Sequence, residues 1–316
     1  MAQNARLKSL FILPALGLTA ALLIFSLVQA VISGRQQTAW LGAALASVPL
    51  LWIVARLALK PPARTTDNLP LLLLIASAGV MVAGWEQFME GSGGWGPTGV
   101  ALAAGFLFLL YVFWYSRFGR IESLTLSVGN KLPSFELDDS NGQTFRVADL
   151  AGRPAVLLFY RGNWCPVCMA QIREIAERHA EFEKLGATVA LISPQSGDET
   201  RALAEQLAVG YRFLVDNGNR VAESLGIAVK NGVPVGLPGD HGPDTVLPTV
   251  LVANANGTII YSDQTDNYRV RPEPDIYLAT LRSSRAMASS PKNNRSPCCV
   301  KVACTRAPIS NSWASA

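Results

Sequence analysis

The chain has 316 residues, of which 50% are hydrophobic and 16% charged, with a net charge of +4. A soluble domain usually carries about 25% charged residues. The shortfall is concentrated in the first 116 residues, which argues against a wholly soluble chain and predicts one membrane region followed by one globular domain. No dense run of Lys and Arg interleaves with aromatic residues, so the composition gives no support to a nucleic-acid-binding surface.

Four charge-free stretches come first. They predict helices over 10–32, 38–59, 69–85 and 97–116, within a membrane region spanning 1–118. A helix needs about 20 apolar residues to cross a bilayer. The first and last stretches meet that length, and the second meets it if Arg56 snorkels. The third is short and opens on Pro70, which suits a first helical turn. Trp40, Trp85, Trp95, Trp114 and Tyr115 lie near the predicted ends, as an aromatic belt would. Val28-Gln29-Ala30 resembles a signal-peptide cleavage site, but the long apolar run favours an uncleaved anchor. Arg6, Lys8, Arg56, Lys60, Arg64, Arg117 and Arg120 all border one side of a four-span arrangement. The positive-inside rule makes that side cytoplasmic, with the globular domain on it, in the cell inner membrane. If the third stretch did not span, the domain would lie on the other side.

Residues 119–130 read as a linker, and the globular domain is predicted over 127–282. Ala155–Tyr160 is a continuous apolar run, as expected of a strand covered on both faces. Met169–Lys184 has helical periodicity, Ala187–Ile192 reads as a second buried strand, and helices follow over Glu199–Val209 and Asn217–Leu225. Phe213–Val215 is a short strand candidate. Thr249–Ala253 and Thr258–Tyr261 read as a hairpin closed by an Asn-Gly turn, and Pro274–Leu281 as a last helix. Strands alternating with helices give an α/β class. From Ser283 to Ala316 the chain is rich in Ser, Ala, Asn and Pro and basic, and is expected to be disordered.

Chemistry concentrates at Trp164-Cys165-Pro166-Val167-Cys168, where the first buried strand ends and a helix begins. A cysteine at a helix N-terminus feels the positive end of the dipole, which favours its thiolate. The thiolate is the nucleophile, and two intervening residues bring the second sulfur within reach of a bond formed at the first. Pro166 suits the first helical turn, and Arg161 can add positive charge. Half a zinc site is the competing reading. Zinc commonly wants four ligands, and the globular part has no second cysteine pair. A soft-metal site built from Cys165, Cys168 and His241 is a further possibility. No cofactor is called for. Cys298, Cys299 and Cys304 sit in the tail, where they read as incidental thiols.

From about Ser127 to Leu281 the sequence resembles the redoxin branch of the thioredoxin superfamily, which includes the alkyl hydroperoxide reductase/thiol-specific antioxidant (peroxiredoxin) family. The matching stretches are Val128–Leu137, Phe159–Cys168, and Leu247-Pro248-Thr249 with Asn256-Gly257-Thr258-Ile259. The resemblance implies a thioredoxin-like fold, a central mixed sheet with flanking helices, behind the all-α membrane bundle. It implies Cys165 as nucleophile, Cys168 as resolving thiol and Pro248 as a cis-proline facing the pair, with Trp164, Pro166 and Arg161 in support. Three departures stand out. Peroxiredoxins of the usual pattern carry Thr or Ser where this chain has Gly162, and an Arg where it has Leu247-Pro248. Thioredoxins carry a buried acid where it has Phe159.

These departures make a membrane-anchored thiol–disulfide oxidoreductase the leading expectation. A thiol-dependent, peroxiredoxin-like peroxidase is the alternative, and a metal-handling module the third. The expected partners are a disulfide or peroxide substrate, an electron-donating reductase and the lipid bilayer.

Overall fold

The computed structural model describes residues 4–90, 94–237 and 242–289. Four helices come first: α1 (Ala5–Ile32), α2 (Gln37–Leu59), α3 (Pro70–Glu90) and α4 (Trp95–Leu110), the last continuing into a π-helical turn over Tyr111–Tyr115. Ala5–Ile32, Gly34–Leu59 and Trp95–Tyr115 are long and apolar enough to cross a membrane, whereas the apolar part of α3, Pro70–Trp85, is shorter. With 21 residues in all, α3 is about 31 Å long at 1.5 Å per residue.

The bundle inverts the usual arrangement of large and small side chains. Ile24, Leu71, Leu74, Met81 and Phe106 are exposed on its outside, while Ala43, Ala46, Ala83 and Ala101 are buried within. Small residues at helix contacts let backbones close in, which is how helices associate where no hydrophobic effect drives them together. Helices α2 and α3 approach closely. A Cβ on Gly42 would stand 2.5 Å from the Ala83 nitrogen, and one on Gly79 would stand 2.5 Å from the Ala46 nitrogen. Both obstacles are backbone, so neither can rotate away. Gly79→Ala is therefore expected to destabilise the bundle by about 1–3 kcal/mol, the usual cost of overpacking. Thermal unfolding in detergent checks this, with Gly99→Ala, which has open space around it, as the control.

The remainder forms a seven-stranded mixed sheet. Its strands are β1 (Glu136–Asp139), β2 (Thr144–Arg146), β3 (Ala155–Phe159), β4 (Thr188–Ser193), β5 (Arg212–Val215), β8 (Thr249–Ala253) and β9 (Ile259–Asp263), in the order β2-β1-β5-β4-β3-β8-β9. Two short strands, β6 (Ala228–Val229) and β7 (Thr245–Val246), pair separately. Strand β3 runs parallel to β4 and antiparallel to β8. Its five residues are all buried, which is why its sequence is apolar without alternation. Helices α5 (Pro166–Glu177), α6 (His179–Lys184), α7 (Gly197–Leu207), α8 (Arg220–Ser224) and α9 (Pro274–Ser289) flank the sheet. This is the thioredoxin-like arrangement expected from the resemblance.

Two expectations need correction. The helix expected over Met169–Lys184 starts at Pro166 and breaks at Arg178, whose φ of −100° and ψ of 12° are not helical. The tail expected to begin at Ser283 does so later, because α9 continues to Ser289. Its composition hid this, since Ala and Ser in Ser283–Ser289 extend a helix anchored upstream by buried Tyr277, Leu278 and Leu281. Residues 290–316, with Cys298, Cys299 and Cys304, lie outside the described residues.

The two halves are joined by one continuous apolar core. Ile12, Leu57, Phe108, Tyr111 and Val112 from the helical region share it with Cys165, Cys168, Ile172 and Tyr277. Polar contacts reinforce the junction. Asn267 Nδ2 donates to Asp67 Oδ1 at 2.7 Å, Arg64 pairs with Glu174, and the Val235 N–H donates to the Ser9 carbonyl at 3.0 Å.

Candidate active site

Strand β3 delivers the chain to Tyr160, whose N–H donates to the Ile192 carbonyl on β4 at 2.9 Å. The next four residues are held by their surroundings. Thr245 Oγ1 donates to the Arg161 carbonyl at 2.9 Å. The Asn163 N–H donates to Gln195 Oε1 at 2.8 Å, and Asn163 Nδ2 donates to the Glu199 carbonyl at 3.0 Å. Gln195 in turn donates to the Tyr160 hydroxyl at 3.1 Å. Gly162 adopts φ +139°, and a Cβ there would stand 2.7 Å from the Trp164 indole nitrogen. The Thr or Ser expected from the resemblance is therefore excluded sterically, because the Trp164 ring fills its place.

The Cys165 N–H donates back to the Gly162 carbonyl at 3.1 Å, and the Cys165 carbonyl accepts from Met169 as α5 starts. Cys165 is thus the N-cap of α5, with Pro166 at its first position. Both cysteines are unbridged, and they are only 2% and 1% exposed. The hydrogen bond from the Cys168 thiol is the largest influence on Cys165 and lowers its pKa; burial opposes this, and Arg161, Arg271 and the Cys168 backbone N–H lower it further. Burial raises the pKa of Cys168, and the neighbouring Cys165 sulfur raises it again. The pair is polarised: one sulfur is prepared to be a thiolate and the other to keep its proton.

Arg161 stacks on the Trp164 ring with its guanidinium carbon 4.5 Å from the centroid, and lies 5.8 Å from that of Phe118. Its Nη2 donates to the Gly232 carbonyl at 2.6 Å. A cavity of ≈40 Å³ lined by Lys8, Ser9, Tyr115, Phe118, Arg161 and Thr245 adjoins it, enough for a small polar molecule or about two waters. Tyr115, from the end of the helical region, interacts electrostatically with Cys165. A larger cleft of ≈1340 Å³, lined by Gly152, Arg153, Asn254 and Arg285 among others, contains neither cysteine.

Pro248 needs a correction. Every peptide bond among the described residues is trans, including Leu247–Pro248. The chain passes straight from β7 through Leu247 into β8, and the trans form, favoured by about 0.5–1 kcal/mol before proline, keeps that run extended. Thr249 pairs with Phe159, so Pro248 lies at the sheet end from which the cysteine loop leaves. Its carbonyl accepts from Arg120 Nη1 at 2.9 Å and is thereby occupied.

Sequence reasoning missed Arg271, Arg120 and Gln195. Arg120 figures in the sequence only as a charge bordering the last apolar stretch, and Gln195 and Arg271 belong to no motif. Only tertiary folding brings them towards the cysteine loop. Among the described residues no group of three or more His, Cys, Asp or Glu side chains could hold a metal, and His241 lies outside them.

Residues 128–262 match the AhpC/TSA family. Peroxiredoxin Bcp of Bacillus subtilis is 28% identical over 104 residues, covering 33% of this chain and 66% of that protein. Chloroplastic peroxiredoxin Q of Gentiana triflora is 30% identical over 143 residues, covering 44% and 60% respectively. For that of Populus jackii the second figure is 46%, so the chain spans about half to two thirds of the length of these curated relatives. The putative peroxiredoxin bcp of Haemophilus influenzae is 28% identical over 159 residues and is covered to 97%. The crystal structure of peroxidoxin BcpB from Mycobacterium tuberculosis is 25% identical, covers 50% of this chain and 97% of its own, and gives a TM-score of 0.41.

Proposed function

We propose that this chain, similar over residues 128–262 to the AhpC/TSA family, is a membrane-anchored thiol-dependent peroxidase with Cys165 as the attacking sulfur and Cys168 as the resolving one. The polarised, buried pair at the start of α5 carries this reading. The similarity to peroxiredoxins favours it over general thiol–disulfide exchange. The exchange reading also loses one of its supports with the trans geometry at Pro248.

The Cys165 thiolate attacks one peroxide oxygen. The O–O bond breaks, Cys165 becomes a sulfenic acid, and the departing alkoxide takes a proton and leaves as an alcohol. Cys168, hydrogen-bonded to the attacking sulfur, is the nearest proton source. Its own sulfur, now a thiolate, then attacks the sulfenic sulfur, the S–O bond breaks, hydroxide leaves and takes a proton from solvent to become water, and the Cys165–Cys168 disulfide closes. An external dithiol returns two electrons and restores the pair.

The apolar exterior of the bundle supports insertion in a bilayer, because a water-facing surface seldom shows so many large apolar side chains. Arg64 pairs with Glu174, Arg117 bridges to Asn267, and Lys8 lines a cavity together with Arg161 and Thr245 of the globular domain, so the basic loops gather on its side. That agrees with a cytoplasmic domain in an inner membrane.

Stopped-flow consumption of hydrogen peroxide by the full-length protein in detergent, beside reduction of insulin disulfides, tests the assignment. Peroxide is expected to react with reduced enzyme at least about 10²-fold faster than with a free thiol at matched thiolate concentration, the scale of one preorganised catalytic contribution. Cys165→Ser is expected to abolish that reaction. Fast insulin reduction with peroxide rates no better than a free thiol would return the assignment to disulfide exchange.

A further inference from the structure

The segment from Asn267 to Pro272 leaves β9 and is clamped from two sides. On the bundle side the Thr65 N–H donates to the Arg269 carbonyl at 2.9 Å, and Arg64 Nε donates to the Arg271 carbonyl at 3.3 Å. On the other side Gln171 Nε2 donates to the Tyr277 hydroxyl at 3.1 Å, which donates to the Pro272 carbonyl at 3.4 Å. Gln171 stands three residues after Cys168 on α5, hence on the same helix face. The junction therefore holds Arg271 against the cysteine helix.

The Arg271 side chain is peculiar in what it lacks. The residue is 3% exposed. Among the described residues its Nε and Nη2 have no hydrogen-bond partner, and its Nη1 reaches only the Val270 carbonyl at 3.5 Å. The acids nearby in sequence and space are engaged elsewhere: Glu174 and Glu273 both pair with Arg64. Buried charges are ordinarily paired, since removing an ion from water without compensation costs several kcal/mol. A buried guanidinium with two idle N–H groups thus implies a negative charge that is present only in some states of the protein.

We propose that Arg271 is the counter-cation of the Cys165 thiolate, its idle Nε–H and Nη2–H groups holding the charge that appears when that sulfur ionises. This rests on the reading of Cys165 as the attacking sulfur. In support, Arg271 favours ionisation at both sulfurs of the pair. The titratable and charged groups facing Cys165 are Cys168 on α5, Arg161 from the preceding loop, Tyr115 from the end of the helical region, and Arg271. Arg161 is committed through Nη2 to the Gly232 carbonyl and lies over two aromatic rings, with its Nε alone buried and unpartnered among the described residues; Arg271 has two such nitrogens and is the freer of the two cations.

The test is the pH dependence of Cys165 alkylation by iodoacetamide, followed by mass spectrometry on the full-length protein in detergent. This readout is independent of any peroxide. In the wild type the midpoint is expected well below that of a free cysteine. Arg271→Gln is expected to raise it by about one pH unit, at the lower end of the effect of an adjacent opposite charge, and Arg271→Lys to restore most of the difference. Arg153→Gln, the same charge change on an exposed residue lining the larger cleft, is expected to leave it in place. A wild-type midpoint like that of free cysteine would overturn the reading of Cys165 itself. A low wild-type midpoint unchanged in Arg271→Gln would overturn the role of Arg271 alone. Should Arg271→Gln fail to fold, the Nε–H resonance of Arg271 in wild-type protein decides: it is expected to titrate with Cys165 and to stop doing so in Cys165→Ser, and an Nε–H indifferent to Cys165 overturns the proposal.

Discussion

Cys168→Ser is expected to leave the first oxidation of the protein nearly intact and to stop steady-state turnover. In the proposed sequence Cys168 acts after Cys165 has taken an oxygen, so its loss strands the sulfenic acid. A single exposure to peroxide should consume about one equivalent, and dimedone should then label Cys165 in the variant and not in the wild type. Turnover with a dithiol reductant should fall by roughly 10²-fold or more, the residual coming from direct attack of the reductant on the sulfenic acid. The first step should also slow, by a few-fold, because the Cys168 thiol is the largest influence lowering the Cys165 pKa and a serine hydroxyl imitates it imperfectly. Sustained wild-type turnover in this variant would remove Cys168 from the mechanism.

Arg269→Leu is expected to be the most destabilising single change at the junction of the two halves. Arg269 is completely buried. Its Nε donates to Ser116 Oγ at 3.1 Å, its Nη1 to Thr65 Oγ1 at 2.7 Å and the Thr66 carbonyl at 3.1 Å, and its Nη2 to the Asp67 carbonyl at 3.0 Å. It also lies 5.6 Å from the Tyr111 ring centroid. Leucine fills part of the volume but removes four hydrogen bonds from a charged donor, each worth about 1.5–3 kcal/mol, while Asn267 Nδ2 still reaches the Asp67 carbonyl and Thr65 Oγ1 the Thr66 carbonyl. A loss of about 3 kcal/mol or more follows, which for a domain of this size lowers Tm by roughly 6–12 °C. Arg269→Lys should recover only part of it, because an ammonium cannot span the same fork of acceptors. Thermal unfolding in detergent, with proteolysis of the linker as a second probe, measures both.

What could be read beforehand divides along physical lines. Strands β3, β4 and β8 were legible because burial on both faces leaves uninterrupted apolar runs, and the cysteine pair was legible as lying near a helix start, although the helical periodicity alone put that start at Met169, three residues late. Strands β1, β6 and β7 were not, since two to four residues with acids, as in Glu136–Asp139, carry too little pattern. The site was legible where it is local. Cys165, Pro166 and Cys168 follow from spacing, whereas Arg120, Gln195 and Arg271 reach the neighbourhood across distances in the chain that no periodicity records. The trans Pro248 illustrates the opposite hazard: a resemblance brought in a backbone geometry that the straight path from β7 to β8 does not require. Gly162 was noticed as a departure, but its reason, the space taken by the Trp164 indole, needed coordinates.

The turn between α2 and α3 has a double duty. The residues that reverse the chain at one end of the bundle, Thr65 to Asp67, also grip Arg269, two positions from Arg271. Sliding or tilting of those two helices is therefore transmitted to the segment that carries Arg271, so the helical half acts on the globular domain as a lever.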